Sequence, residues 1–134
     1  ELLYRQQKLH FDFDPNFFSD PRRPEWQNYY ADIKKIIDQK HGVLFVARLS
    51  NTIIGCSIAE HLDDGNVYVN ELFVAEGSRG KGLGARLFCA GENYAVTKNA
   101  PTFWLTASAK NKRALGFYRK CGLQGTLYTY YKNL

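Results

Sequence analysis

The stretch EGSRGKGLGARL, residues 76–87, is the most unusual segment of the sequence. Glycine stands at positions 77, 80, 82 and 84, and the basic residues Arg79 and Lys81 lie among them. A glycine within a helix lowers the stability of the helix by about 1 kcal/mol relative to alanine. This density of glycines therefore indicates that the backbone of the segment has a functional role. The apolar run VYVNELFV (67–74) precedes the stretch and apolar helical sequence follows it, which predicts a strand, a glycine loop and a helix in succession.

Three kinds of phosphate-binding loop contain glycines at similar spacing. A Walker loop is excluded because Lys81 is followed by Gly82 and not by Ser or Thr. Residues 80–85 satisfy the dinucleotide pattern G-x-G-x-x-A, but the next predicted strand, TFWLTAS (102–108), ends without the acidic residue that holds the ribose. The simplest prediction is a pyrophosphate cradle made by free amides at a helix N-terminus. A flexible connection with solvated charges is the alternative.

The remaining sequence predicts one α/β domain over residues 1–134, with a mixed, mostly antiparallel central sheet flanked by helices. Ser50 and Asn51 are expected to turn a β-hairpin, and Gly42 is expected to end the second helix. The predicted order is a helix ending near 9, a loop at 11–24, a helix at 24–42, strands at 43–49, 52–62 and 66–74, a helix at 82–98, a strand at 102–108, a helix from 111 and a strand at 123–133.

Bulk properties narrow the class of partner. A net charge of +5 favours an anionic partner: nucleic acid, acidic lipid or a phosphate-bearing ligand. No apolar run approaches the roughly 20 residues of a membrane span. The aromatic residues fall at core spacing, which disfavours a nucleic-acid-binding module.

Three widely spaced cysteines indicate a reducing, cytoplasmic setting without a disulfide framework or metal site. The histidines at 10, 41 and 61 are expected in or beside loops.

Two motifs resemble those of the GCN5-related N-acetyltransferase (GNAT) family. Residues 79–84, RGKGLG, resemble the family's Arg/Gln-x-x-Gly-x-Gly/Ala signature. Residues 111–123, NKRALGFYRKCGL, are similar to its N-x-x-A-x-x-[FL]-Y-x-x-x-G-[FL] helix, and LLYRQQKLHFDFDPNFF (2–18) resembles its first helix and substrate-side loop. No strand is predicted before Leu2, so the family's first strand is missing or replaced. The start at Glu1 without methionine leaves truncation open.

The resemblance implies transfer of an acetyl group from acetyl-CoA to a primary amine by direct attack in a ternary complex. It implies that the pantetheine arm inserts between the strands at 72–74 and 106–108, with an oxyanion-binding amide near Phe73 or Val74, where the family's strand bulges. Asn111 has a second expected role as a helix N-cap. The implied cofactor-binding residues are Leu72, Phe73, Val74, Arg79, Gly80, Lys81, Gly82, Leu83, Gly84, Ala85, Asn111, Ala114, Phe117 and Tyr118.

Two residues are candidates for the catalytic roles. Tyr118, at the family's tyrosine position, is the candidate general acid for the thiolate, and simple packing from the helix is its alternative. Glu71 lies within an apolar strand, where a carboxylate must be paired or functional because burying it alone is costly, so it is the candidate base or water-orienting group. Alternation places Glu71 on the face of Val67, Val69 and Phe73. A structural or substrate-side hydrogen-bond acceptor is the alternative for Glu71.

The acceptor is expected to be a small-molecule amine such as a polyamine, aminoglycoside or amino acid. A protein lysine or N-terminus, and a non-catalytic acyl-CoA sensor, remain open, as do the acyl-chain preference and a homodimer. A cationic acceptor requires acidic residues on the substrate side. The acids available there are Asp12, Asp14, Glu60, Asp63, Asp64 and Glu71.

Overall fold

The structure is a computed structural model that describes residues 1–13 and 20–126. The described residues form an α/β fold with these α-helices and strands in chain order: α1 Leu2–Phe13, α2 Glu25–Asp38, β1 Gly42–Leu49, β2 Thr52–His61, β3 Val67–Val74, α3 Leu83–Thr97, β4 Phe103–Trp104 and α4 Lys112–Lys120. Within the described ranges, none of the helices has both the length and the apolar character that a membrane crossing requires.

The four strands form one sheet in the order β1-β2-β3-β4. β1 pairs with β2 and β2 with β3 in antiparallel fashion, whereas β3 and β4 are parallel. The predicted mixed, mostly antiparallel sheet and the hairpin at Ser50 and Asn51 are therefore confirmed. Among the residues that the structure describes, β1 is the outer strand of the sheet, and none of them supplies the family's first strand.

Helices cover both faces of the sheet. On one face α3 packs against β2 and β3, and Ala59, Val67 and Ala95 form a buried cluster there. On the other face α2 lies so close to the start of β1 that a Cβ on Gly42 would come within 2.6 Å of Ile36 Cγ2. Glycine at position 42 therefore permits the close approach of helix and strand.

The boundaries of α1 and α2 differ from the prediction. α1 continues to Phe13, so His10 lies within a helix, where partial burial lowers its pKa. α2 ends at Asp38, and Lys40 takes a positive φ of 61° before the chain enters β1. The prediction that Gly42 ends the helix is wrong, because Lys40 makes the left-handed turn and Gly42 begins the strand.

The two predicted C-terminal strands are shorter or lie elsewhere. Only Phe103 and Trp104 of the predicted strand at 102–108 are in strand conformation, because the following residues leave β3. Of the predicted strand at 123–133, residues 123–126 are irregular and residues 127–133 lie outside the described part of the chain. Of the irregular loop predicted at 11–24, residues 11–13 are helical instead, and residues 14–19 also lie outside that part.

Candidate active site

The glycine stretch forms an open loop between β3 and α3. A short 3-10 turn at Glu76–Ser78 follows the strand, and both Gly80 and Gly82 have left-handed φ angles, 77° and 76°. Gly82 is the N-cap of α3 and makes no side-chain cap. Glycine is the residue that adopts this conformation without steric cost, which explains its presence at positions 80 and 82.

Amide hydrogens of this loop are available to a ligand. Among the loop and turn hydrogen bonds of the described residues, none has the amide of Gly80, Lys81 or Gly82 as donor. The first amides of α3, from Leu83 to Ala85, have no acceptor within their own helix. The first turn of α3 contains no acidic residue, so its partial positive charge is not neutralised locally. The loop can therefore accept an anion.

Two arginine side chains lie at the Phe73 ring, near the start of the same loop. The Arg79 Nε–H donates to the Val74 carbonyl at 2.8 Å, and the guanidinium carbon lies 5.9 Å from the centre of the Phe73 ring. The Arg5 guanidinium lies 6.0 Å from the same ring. Burial, followed by the nearby charge of Arg113, lowers the pKa of Arg79. Converging positive charges favour an anionic ligand at this position.

β3 and β4 separate beside the loop. Their pairing is limited to Val67 with Phe103 and Tyr68 with Trp104. The rings of Tyr68 and Trp104 lie 4.5 Å apart, and the Tyr68 hydroxyl is 3.0 Å from Thr106 Oγ1, which braces the closed end of the gap. Beyond that point β3 continues to Val74, whereas residues 105–108 are not paired with it. The predicted contacts at 72–74 and 106–108 thus lie on chain segments that are not paired with each other.

α4 packs on the start of α3. The Asn111 side chain accepts a hydrogen bond from the Ala114 amide at 3.0 Å, which confirms its expected role as the N-cap. A Cβ on Gly84 would lie at an ordinary van der Waals distance of 3.6 Å from the Phe117 ring, so the ring packs directly on the first turn of α3. Asn111, Ala114 and Phe117 therefore all have structural roles here, and their contact with a cofactor stays a prediction.

A β-bulge in β3 determines the direction of Glu71. Ile58 pairs with Glu71 and the next residue, Ala59, pairs with Val69, so one extra residue lies on β3 between these pairs. Neighbouring residues of β2 point to opposite faces, and Glu71 and Val69 therefore do so as well. The predicted placement of Glu71 on the face of Val69 is wrong, because strict alternation does not survive a bulge.

The contacts of β3 agree with this change of face at the bulge. Val67 packs against Ala95 of α3, whereas Glu71 contacts α1 and α2 on the opposite face. The pairs of Phe73 with Cys56 and Val74 with Gly55 follow a regular register. The resemblance implied a bulge near Phe73 or Val74. In the pairing of β3 with β2, the bulge lies before Glu71 instead.

Glu71 is the most buried carboxylate of the described residues, with 1% of its surface exposed. Its Oε1 accepts hydrogen bonds from Gln7 Nε2 at 2.6 Å and from the Tyr29 hydroxyl. Its Oε2 is buried and has no hydrogen-bond partner within the described residues. Burial raises the pKa of Glu71 to about 7, against the opposing effect of the two hydrogen bonds. The group can therefore exchange a proton near neutral pH.

Tyr118 lies on α4 with its ring packed between aromatic neighbours. The ring centroids of Phe117 and Phe88 lie 5.3 Å and 6.4 Å away. Burial, followed by the negative charge of Glu71, raises the pKa of Tyr118 to about 12. The hydroxyl therefore keeps its proton at neutral pH and can serve as a donor.

The predicted acceptor-side acids are dispersed. Glu60 and Asp63 line a polar groove of about 370 Å³ beside α2, and Glu60 also accepts from Asn70 Nδ2 at 2.8 Å. Asp64 caps its own turn by accepting from the Asn66 amide, and Asp12 pairs with Lys8. Asp14 lies outside the described residues.

Gln7 and Tyr29 are site residues that the sequence analysis missed. Gln7 is buried on α1, and Tyr29 lies on α2 one turn before the buried Ile33. A glutamine or tyrosine on an apolar face needs a hydrogen-bond partner, and that requirement was the available indication. The identity of the partner depends on the tertiary fold.

Comparison with known proteins gives consistent results. A profile of the acetyltransferase (GNAT) family matches residues 5–123. A mutant of the BH1408 protein from Bacillus halodurans superposes with a TM-score of 0.82 at 20% identity, covering 99% of this chain and 89% of that one. The aminoglycoside N-acetyltransferase AAC(6')-Iy, solved with CoA, gives 0.69 at 18% identity, covering 81% and 87%.

A third structure gives a similar result. The aminoglycoside 6'-N-acetyltransferase AAC(6')-IG from Acinetobacter haemolyticus has a TM-score of 0.67 at 16% identity, covering 81% of this chain and 80% of its own. At these identities the superpositions establish the fold. A search of curated protein sequences returned no match.

Proposed function

The chain belongs to the acetyltransferase (GNAT) family, and from this premise we propose that it moves an acetyl group from acetyl-CoA to a primary amine of a small molecule. The observation that carries this proposal is the position of Glu71. It is a buried carboxylate with a pKa of about 7, and one of its oxygens has no hydrogen-bond partner among the described residues. It lies on the strand that borders the gap beside the glycine loop.

The residues of the loop fit the donor. The amides of Gly80, Lys81 and Gly82 and those of the first turn of α3 are available for a pyrophosphate, and the nearby arginines supply positive charge. The segments that follow Tyr68 and Trp104 are not paired with each other, and they leave backbone groups at 72–74 and 106–108 for the amides of a pantetheine arm. Acetyl-CoA supplies an activated thioester, and we assign its binding to residues 72–74 and 79–85 together with Asn111, Ala114, Phe117 and Tyr118.

Glu71 acts as the base in this proposal. An amine with a pKa near 10 arrives protonated and attacks only after it loses a proton. Glu71 Oε2 takes that proton, directly or through a water molecule, because Oε1 is already occupied by Gln7 and Tyr29. A pKa of about 7 leaves a large fraction of the carboxylate ionised at neutral pH.

Tyr118 acts as the acid. As the amine nitrogen bonds to the acetyl carbon, the carbon–sulfur bond breaks and the sulfur leaves as a thiolate. The Tyr118 hydroxyl, protonated because its pKa is raised to about 12, donates its proton to the sulfur. The charge of Glu71 contributes to that raised pKa, so the two groups share one electrostatic environment.

A small-molecule amine is the proposed acceptor. Two of the structures that resemble this chain are aminoglycoside acetyltransferases, which supports an amine of that general kind. The groove lined by Glu60 and Asp63 offers carboxylates to further ammonium groups of a polycationic acceptor. These carboxylates offset the unfavourable net charge of +5 locally.

An amine panel with acetyl-CoA tests the proposal. Binding is measured by calorimetry and turnover by chromatographic detection of free CoA, because the exposed Cys89 would react with thiol reagents. Turnover with a polyamine, aminoglycoside or amino acid is expected. Turnover with a lysine peptide alone would move the acceptor to proteins, and binding without turnover would indicate a sensor. Absence of binding at micromolar acetyl-CoA would contradict the proposal.

A further inference from the structure

We propose that Gln7 of α1 and Tyr29 of α2 are positioning residues that hold Glu71 Oε1 and thereby make Oε2 the proton-accepting atom. The inference rests on the proposed function, in which Glu71 is the base. It assigns a catalytic consequence to two side chains from the first two helices. The glycine loop and the Asn111 helix do not contain either of them.

The two oxygens of Glu71 differ in their surroundings. Oε1 receives two donors from separate helices, Gln7 Nε2 and the Tyr29 hydroxyl. Oε2 has no partner within the described residues and is buried. A carboxylate fixed through one oxygen presents the lone pairs of the other in a defined direction, which is what proton transfer requires.

The hydrogen bonds also act on the charge state of Glu71. Burial alone raises the pKa of a carboxyl, and donors to the ionised form lower it again. Gln7 and Tyr29 both act in the lowering direction on Glu71. Without them, Glu71 would be protonated over more of the neutral range and would be a poorer base at pH 7.

Other titratable and charged groups lie around Glu71 but do not replace these donors. Tyr30 of α2, Cys56 of β2 and Tyr118 of α4 are neutral at pH 7, and burial raises the pKa of each further above neutrality. The guanidinium groups of Arg5 of α1 and of Arg79 lie over the Phe73 ring.

The chain supplies a matched control for each residue. Gln6 is next to Gln7, and Tyr30 is next to Tyr29. Gln6 is similarly buried. The Gln6 Oε1 and the Tyr30 hydroxyl are buried without a hydrogen-bond partner in the described part of the chain. Loss of the Gln6 amide removes the same kind of polar group from α1 as loss of the Gln7 amide, and loss of the Tyr30 hydroxyl does so for Tyr29 on α2. Neither control loses a hydrogen bond to Glu71.

The experiment compares Tyr29→Phe and Gln7→Met with Tyr30→Phe and Gln6→Met. Two readouts are taken on each folded variant: the acidic limb of kcat/KM, and the titration of the Glu71 carboxyl in the free protein. The titration is followed by carboxyl NMR with ¹³C-labelled glutamate, and Glu71→Gln identifies the resonance. The second readout needs neither acetyl-CoA nor an acceptor, so it remains available if the proposed function fails.

Tyr29→Phe and Gln7→Met are expected to move both the titration and the acidic limb upward, by about one pH unit each. Activity lost at pH 7 should be regained in part near pH 9, which a purely structural defect would not produce. The Gln6 and Tyr30 variants should leave both midpoints unchanged.

An unmoved carboxyl titration in both test variants would overturn the inference, whatever the enzyme does. A titration that moves while the acidic limb stays would overturn the catalytic consequence and would also remove Glu71 from the role of base. Equal shifts in the control variants would show a general effect of the helices and would overturn the assignment to Gln7 and Tyr29.

Discussion

Tyr29 and Glu71 stand 42 positions apart in the chain, and the tyrosine hydroxyl donates a hydrogen bond to the carboxylate. The bond joins α2 to β3 on the face of the sheet opposite α3. Burial and the charge of Glu71 raise the pKa of Tyr29, so the phenol remains a donor throughout the neutral range. The carboxylate on which the proposed chemistry depends is thus held by a helix that the family motifs do not include.

Glu71→Gln should change how stability depends on pH. The pKa of Glu71 is raised from its usual 4.5 to about 7 in the folded protein. Between these values the unfolded chain has lost the proton and the folded chain retains it, so stability falls as pH rises. The full difference corresponds to roughly 3 kcal/mol. Urea unfolding at several pH values should show wild type losing about this much relative to Glu71→Gln between pH 4.5 and 7.

The control for this measurement is Asp38→Asn, which changes an exposed carboxylate paired with Lys34. Its unfolding free energy should follow that of wild type to within roughly 0.5 kcal/mol across the same range. Parallel stability curves for wild type and Glu71→Gln would show that Glu71 titrates normally. That result would remove the physical basis for a base near neutral pH.

Tyr118→Phe should lower kcat by about 100-fold or more, which is the usual contribution of a positioned proton donor. The acidic limb of the profile should stay in place, because that limb belongs to Glu71. The variant keeps the ring that packs against Phe88 and Phe117, so little change in thermal stability is expected. Steady-state kinetics over a pH series measures both effects.

Tyr94→Phe is the matched variant, since it removes a buried hydroxyl from α3 that has no partner in the described residues. Its kcat should equal that of wild type. If Tyr118→Phe behaves in the same way, Tyr118 is a packing residue and another group protonates the thiolate.

The local elements of the fold were predictable from the sequence, and the pairing of distant residues was not. The hairpin at Ser50, the helix after the glycine loop and the Asn111 cap follow from turn residues, periodicity and capping chemistry, which are local. The short β4 was overpredicted, because its apolar composition suits a strand but β3 diverges from it after Trp104.

Within the site, the direction of the Glu71 side chain was likewise not predictable from the sequence. Its burial was predicted from its apolar neighbours, but its face was not, because one extra residue in β3 reverses the alternation. A bulge is a property of the pairing with β2 and leaves little trace in a single strand. The donors Gln7 and Tyr29 were missed for the same reason, since their partner is distant in sequence.

Gly82→Ala should weaken acetyl-CoA binding. Gly82 has a φ of 76°, so a Cβ there is strained even though no atom lies within 4 Å of it. Relief of the strain would move the amides at the start of α3, and binding should weaken about tenfold for a cost of roughly 1 to 2 kcal/mol. Calorimetric titration with acetyl-CoA measures the change.

Gly77→Ala is the matched control. Gly77 lies in the same loop, has an ordinary φ and has no atom within 4 Å of the position of an added Cβ. It should bind acetyl-CoA as wild type does. Equal affinities for all three proteins would show that the backbone at position 82 does not form the pyrophosphate cradle.

The carboxylates of the groove beside α2 should affect the acceptor and not the donor. Glu60→Gln and Asp63→Asn each remove a negative charge from the groove. For a polycationic amine each change should raise KM by about two- to fivefold at low salt and less at high salt, because partly exposed charges are screened. A monoamine should be affected little, and kcat and acetyl-CoA affinity should stay the same. Equal KM increases for monoamine and polyamine, or none for either, would place the additional ammonium groups outside this groove.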